Sequence, residues 1–209
     1  MTKLDLKKTL RHLYNPSQNT VTEVDVPPMN FIMIDGQGDP NTAQSYKEAV
    51  EALFGLAYSI KFAGKKERGT DFAVMPLEGL WWMADMGAHY GDFDFTAHKD
   101  RWLWTMMIVQ PDPITPQFVQ SCLEAARKKR ALPAFDRVRF EAYHEGPSAQ
   151  IMHIGPYSAE KPNIDRIHAY IAEKGGDPAG KHHEIYLSDP RRTAQEKLKT
   201  VIRQPMRKR

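Results

Sequence analysis

Phe31-Ile32-Met33-Ile34-Asp35-Gly36 and Gln150-Ile151-Met152-His153-Ile154-Gly155 decide how this chain is organised. Each is a short apolar run that stops at a glycine, the pattern of a strand closed by a turn. A second matched pair follows. Leu103-Trp104-Thr105-Met106-Met107-Ile108-Val109-Gln110-Pro111 resembles Leu198-Lys199-Thr200-Val201-Ile202-Arg203-Gln204-Pro205, which is one residue shorter. Between the matched ends each half carries strand, helix and strand in the same order. Segments that agree in kind and in order signal a duplicated unit. The fold class this predicts is α+β, made of two strand–helix–strand–strand repeats over about 21–112 and 136–206. A duplicated unit with one uncovered sheet face buries that face against its twin, and ligand clefts favour such interfaces.

Working outward, Asn41 reads as an N-cap, with Tyr46, Val50, Leu53, Ala57 and Ile60 giving one apolar helical face that ends near Gly64. Asp71 to Met75 and Arg101 to Gln110 read as strands. Thr115-Pro116 opens a helix, with proline where no amide donor is needed, and Lys128-Lys129-Arg130 complements its C-terminus. This helix, at about 115–130, is expected to join the halves. Arg137 to Glu145 alternates, Gly146-Pro147-Ser148 reads as a turn, and 150–154 as a strand. A helix around Ile164, Ile167 and Ile171 ends at Gly175-Gly176, and His183 to Leu187 and Leu198 to Arg203 are the last strands.

Composition sets the class. The chain has 209 residues, 41% of them apolar, which suits one folded core or two half-size units sharing one. The formal charge is +3, concentrated in Arg203, Arg207, Lys208 and Arg209, a solvated basic end without any helix-turn-helix, zinc-finger or RNA-binding signature. Direct nucleic-acid binding is therefore not expected. The single cysteine, Cys122, excludes an intrachain disulfide and fits a reducing compartment. The charged N-terminus lacks an apolar core for a signal peptide, and no run approaches the roughly 20 apolar residues of a membrane span. The expected location is the cytoplasm.

The stretch richest in chemistry is His182-His183-Glu184-Ile185-Tyr186-Leu187. Alternation puts Ile185 and Leu187 on one strand face and Glu184 and Tyr186 on the other; it likewise pairs Glu141 with Tyr143. A carboxylate can take a proton from water while a neighbouring phenol donates to a developing oxyanion. Half-exposed strand positions explain the same pattern without chemistry. Trp81, Trp82 and Trp104, with Met83 and Met86 nearby, suit either an adaptable wall for a flat ligand or a core. His182 and His183 point to opposite faces, and no histidine shows metal-ligand spacing. Neither metal nor cofactor is expected.

Residues 28–41, from Pro28-Met29-Asn30 to Asp39-Pro40-Asn41, closely resemble GyrI-like domain proteins. So do Met75-Pro76-Leu77-Glu78-Gly79-Leu80-Trp81-Trp82 and residues 183–193, which begin His183-Glu184-Ile185-Tyr186 and end Arg191-Arg192-Thr193. The resemblance runs from about residue 5 to residue 206. It implies a single GyrI-like domain over 1–209, whose tandem βαββ repeats are related by a pseudo-twofold, the regulatory-factor effector-binding fold, with a cleft between them. The same fold serves as the drug-sensing domain of transcription regulators and occurs in DNA gyrase inhibitor proteins. Stand-alone members are described as cyclopropanoid hydrolases, which open the strained ring of flat DNA-alkylating toxins with an acidic residue and aromatic residues of the cleft. Glu184 matches the acid. With Tyr143 it forms the expected catalytic pair, and Tyr186, Trp82, Trp81, Trp104 and Met86 are expected to bind the ligand. The implied function is hydrolysis of a small hydrophobic aromatic molecule in detoxification. The alternatives are a non-catalytic module that sequesters hydrophobic or cationic drugs, or a gyrase-interacting protein.

Overall fold

The computed structural model describes residues 3–84 and 99–209. Met86, named above as a ligand-binding residue, lies outside them, as do His89 and His98. Two short helices, α1 (Leu6–Thr9) and α2 (Arg11–Tyr14), lead into β1 (Thr22–Val26) and β2 (Met29–Gln37). Then come α3 (Gln44–Arg68), β3 (Leu77–Trp82) and β4 (Leu103–Gln110). Beyond α4 (Pro116–Lys129) lie β5 (Arg139–Tyr143), β6 (Gly146–Ile154), α5 (Lys161–Glu173), β7 (Gly176–Pro178), β8 (His182–Tyr186) and β9 (Lys199–Lys208).

The main sheet has the order β1-β6-β9-β8-β3-β4-β2-β5, with β7 attached to β9, and all of these pairings are antiparallel. Read inward from the two ends, β6-β9-β8 mirrors β2-β4-β3. The two βαββ units, β2-α3-β3-β4 and β6-α5-β8-β9, therefore join where β8 pairs with β3. Each unit covers one part of the same sheet face. Ala49, Leu53, Leu56 and Ile60 of α3 bury against β2 and β4, while Ile164, Ile167 and Ile171 of α5 bury with Ala149, Ile151 and Ile202 of β6 and β9. The middle strands, β8 and β3, lie between the two helices.

Local chemistry explains where the elements begin and end. Thr115 caps α4 by accepting the Phe118 amide at 3.3 Å, and Pro116 occupies the first turn. Asn41 does not cap α3: its side chain and amide bond Asp39 in a turn, and Ala43 occupies the cap position. The helix also runs past Gly64 to Gly69, whose φ of 65° gives a left-handed stop. Asp71 to Met75 holds only an isolated bridge between Leu4 and Phe72, and the strand is shifted to Leu77–Trp82. Gly146-Pro147-Ser148 is the start of β6, where it pairs with β1, an edge strand with no expected counterpart in the sequence. Proline is tolerated there because its missing donor falls near the strand's beginning.

Opposite the helices, the sheet carries a buried polar network. Both ring nitrogens of His183 meet carboxylates, Nδ1 at 3.0 Å from Glu145 and Nε2 at 3.0 Å from Glu78. Two carboxylate partners require two N–H donors, so the ring is an imidazolium. Arg203 donates to Glu145 and Gln150 at 3.0 Å and to the Leu13 carbonyl at 2.7 Å. Tyr14 donates to Glu78 at 2.9 Å. Burial pushes His183 toward neutrality, but the charge of Glu145 and the hydrogen bonds to Glu145 and Glu78 raise it to about 9. Burial likewise works against ionised Glu145, yet His183 and Arg203 hold it at about 2.

Two outcomes follow. Arg203→Met strips one partner from a buried ion pair and should lower stability by about 3–5 kcal/mol in denaturant titration. The His183 contribution is full below its unfolded pKa of 6.5 and is lost as pH rises through about 9. That of Glu145 is full above 4.5 and is lost as pH falls through about 2. The melting temperature should decline across both windows, and the alkaline decline should flatten in His183→Gln.

Candidate functional site at the seam between the repeats

Register assigns the side chains at the seam to faces. Glu184 pairs with Gly79, and His182 with Trp81, so Glu184, His182, Tyr186 and Trp81 share the helix-bearing face between α3 and α5. The Trp81 indole donates to the Tyr186 hydroxyl at 3.0 Å, and that hydroxyl donates to Glu184 Oε2 at 2.7 Å. His182 Nε2 stands 3.3 Å from Glu184 Oε1. Gly79 makes this closure fit: a Cβ there would stand 2.6 Å from Met106 Cε and 2.8 Å from Trp81 Nε1.

The helices supply the rest of the lining. Tyr46 of α3 stacks on Trp81 with centroids 6.1 Å apart and meets Trp104 edge-on at 5.4 Å. Trp102 meets Trp81 edge-on at 5.6 Å. From the second repeat, Tyr157 packs edge-on against Tyr186 at 5.7 Å. Glu160, at the cap position of α5, is 4% exposed, and its charge is felt by Glu184. The hydroxyls of Tyr46 and Tyr157 accept and donate no hydrogen bond among the described residues.

These contacts drive the two carboxyl groups apart. Burial, then the charge of Glu184, raises Glu160 well above the usual carboxylate range. Burial also works against ionisation of Glu184, but hydrogen bonding and charge from His182, with a hydrogen bond from Tyr186, lower it overall. Burial among aromatic rings by itself would raise Glu184; the direction is reversed because the His182 imidazole and the Tyr186 hydroxyl stand against the carboxylate. Burial and Glu184 together raise Tyr186, and burial raises Tyr157 to about 12.

Of the residues singled out in the sequence, Glu184, Tyr186 and Trp81 come together here. Trp104 lies on the same face but is fully buried beneath Tyr46, its ring filling the space over Gly36. Trp82 alternates to the opposite face, where the Lys181 ammonium sits 3.3 Å from its ring centroid. It does not face Glu184. Tyr143 is on β5, separated from β8 by β3, β4 and β2, and packs on Phe31. It cannot pair with Glu184. Tyr186 spends its proton on Glu184, so it does not offer a free donor to a ligand oxygen. Glu160, His182, Tyr46 and Tyr157 were not marked as site residues by the sequence reading. His182 is legible by alternation with Glu184, but Glu160 enters from a loop-to-helix junction that carries no periodic signal.

Among the described residues, no three metal-ligating side chains gather into one group. A surface groove of about 230 Å³ between α3 and α4 is lined by Tyr58, Phe62, Phe135 and Glu51, and there the carboxylate is paired with Arg130 at 2.5 Å. No described helix is long and apolar enough to cross a membrane.

An antiparallel sheet with paired helices and an acid between aromatics at the seam defines an α+β small-molecule-binding domain. The GyrI-like small molecule binding domain matches residues 19–207, and the chain belongs to that family. An uncharacterized conserved protein from Listeria innocua is 39% identical, with a TM-score of 0.88 over 98% of this chain and 100% of that one. Two hydrolases from the same organism are 38% and 36% identical, with TM-scores of 0.86 and 0.85, covering 99% and 98% of this chain and all of theirs. The C-terminal domain of EcmrR, 9% identical with a TM-score of 0.53 over 91% of this chain and 98% of that domain, shares the fold alone. No protein of curated function matches the chain.

Gly79→Ala should force Trp81 and Met106 aside, costing about 1–3 kcal/mol in denaturant titration, the usual range for overpacking.

Proposed function

We propose that this protein is a hydrolase that binds a flat, hydrophobic aromatic molecule between α3 and α5 and opens an activated cyclopropane ring in it. One observation carries the reading: Glu184 is held ionised, 12% exposed, against Tyr186 and beside the Trp81 and Tyr46 rings. The hydrolase names of the two Listeria relatives favour catalysis over binding alone.

Glu184 is the base. It takes a proton from water as the water oxygen bonds to one ring carbon, the strained C–C bond breaks, and its electrons pass to the conjugated carbonyl oxygen. Tyr46 or Tyr157, whose hydroxyls make no hydrogen bond among the described residues, donates a hydrogen bond to that oxygen. The stacked Trp81 and Tyr46 hold the flat ring system. Ring strain supplies driving force, so general-base help of about 10²–10⁴-fold suffices.

The second reading, a sequestering module for cationic drugs, draws on the same carboxylate, since an anion among aromatic rings attracts a cation. Glu184→Gln separates the two. In the hydrolase it should keep the affinity for a neutral flat ligand and lower kcat by about 10²-fold or more. In a sequestering module it should weaken cation binding, with no multiple turnover in the parent either. A variant that binds and turns over like the parent removes Glu184 from the mechanism.

A further inference from the structure

His153 is a buried titratable side chain for which the chemistry above has no use. In the two matched strands it stands where the first repeat has Ile34, and both positions are closed to solvent, Ile34 at 0% and His153 at 4% exposure. An imidazole in such a place has to find partners for its ring nitrogens. His153 finds both beyond its own strand. Its Nε2 is 3.1 Å from the Pro156 carbonyl, and its Nδ1 is 3.1 Å from Nδ2 of Asn163, in the first turn of α5. Arg166 donates to Asn163 Oδ1 at 3.0 Å, which fixes that amide with its nitrogen toward the ring. An amide nitrogen only donates and a carbonyl only accepts, so Nδ1 is the acceptor and the ring carries its proton on Nε2. The imidazole thus ties the end of β6 to the turn that follows it and to the start of α5.

That turn carries Tyr157. Gly155, with a φ of 137°, redirects the chain in a conformation that glycine alone adopts readily, and its amide donates to the Leu198 carbonyl at 3.0 Å. A Cβ there would stand 3.4 Å from His153 Nε2. Tyr157 then opens a single 3₁₀ turn, Tyr157–Ala159, and the Ala159 amide donates at 2.9 Å to the same Pro156 carbonyl that His153 holds. The Tyr157 ring packs edge-on against Tyr186 at 5.7 Å. It is 40% exposed, where Trp81 is 4% exposed and the Glu184 side chain 12%, so Tyr157 forms the outer wall of the seam. We propose that His153 is a positioning residue: it holds the 155–159 turn down so that Tyr157 closes the seam site from the second repeat. It acts through the Pro156 carbonyl and does not touch the ligand. The proposal rests on the reading of the seam as a site for a flat aromatic molecule, and it applies to a hydrolase and to a sequestering module alike. Ile34 shows what packing alone asks of this position; the histidine adds two directional bonds that end on the turn and on α5.

The experiment compares the parent with His153→Ile, His153→Gln, Tyr157→Ala and the double variant of His153→Ile with Tyr157→Ala. It reads amide hydrogen exchange, thermal unfolding and titration with acridone, a neutral, flat, fluorescent aryl ketone. His153→Ile fills the core with the residue that the first repeat uses, so melting should change little. The Ala159 and Glu160 amides should nevertheless exchange about tenfold faster, the factor of one buried hydrogen bond. His153→Gln, which still carries a donor toward the Pro156 carbonyl, should recover part of that protection. Acridone should bind His153→Ile and Tyr157→Ala each about tenfold more weakly than the parent, the worth of one edge-on aromatic contact. The double variant should bind no more weakly than either, because both changes remove the same wall. Equal exchange of the turn in the parent and His153→Ile overturns the proposal, and so does faster exchange spread evenly over β6 and α5. A double variant whose loss is the product of the two single losses also overturns it, since His153 and Tyr157 then act independently. If Tyr157→Ala alone weakens binding, His153 is a core residue and the seam reading stands. If the parent does not bind acridone, the seam reading fails for neutral flat ligands, and exchange of the turn alone decides whether His153 holds it.

Discussion

His183 is clamped between Glu78 and Glu145, with Arg203 closing the charge balance, and the rest of the molecule is arranged around that contact. Glu78 belongs to the first repeat, His183 and Arg203 to the second, and Glu145 to the turn before β6. All four are essentially excluded from solvent. Two carboxylates and two cations sum to zero, which is why such a group can be buried at all. It fixes the pairing of β8 with β3, and it draws in the N-terminal segment, because Arg203 and Gln150 reach the carbonyls of Leu13 and His12. Register along that seam is then settled, since a slip of one residue would carry His183 to the other face and take the shared imidazolium from Glu78 and Glu145.

The same seam positions the site. His182 and His183 are adjacent on one strand, so fixing one ring fixes the other on the opposite side of the sheet. His183 serves the structural network, and His182 serves Glu184. The sheet thus isolates two sets of charges by its own thickness. On one side the carboxylates are fully paired and the charges locked; on the other, Glu184 keeps an acidic neighbour and aromatic walls. Lined by a tryptophan from the first repeat and two acids from the second, that site depends on both repeats at once.

Small residues matter at two close approaches. Gly36 lies under the Trp104 ring, where an added Cβ would stand only 2.2 Å from the nearest ring carbon, and Gly79 lets Trp81 and Tyr186 meet above the sheet. Each glycine sits opposite the residue it makes room for or beside it in register, Gly36 across from Trp104 and Gly79 across from Glu184. The aromatic wall is therefore a consequence of where side chains are absent as much as of where they are large.

The sequence by itself determined the elements whose pattern is local. The matched apolar strands around 31–34 and 150–154, the capped start of α4, the apolar spacing of α5, and the placing of Glu184 with Tyr186 all follow from periodicity and turn chemistry. Which of Trp81 and Trp82 faces the acid was not legible, because the strand was expected at Asp71 to Met75 and because β3 and β8 belong to different repeats. Only the tertiary structure decided that. It placed Trp81 with Glu184 and Trp82 with Lys181, and it set Tyr143 several strands away. It also brought Tyr157 and Tyr186 together across a gap of 29 residues, and Glu78 and His183 across 105. A carboxyl's ionisation depends on donors and charges within a few ångströms, and those neighbours come from chain segments whose spacing in sequence carries no trace of their meeting.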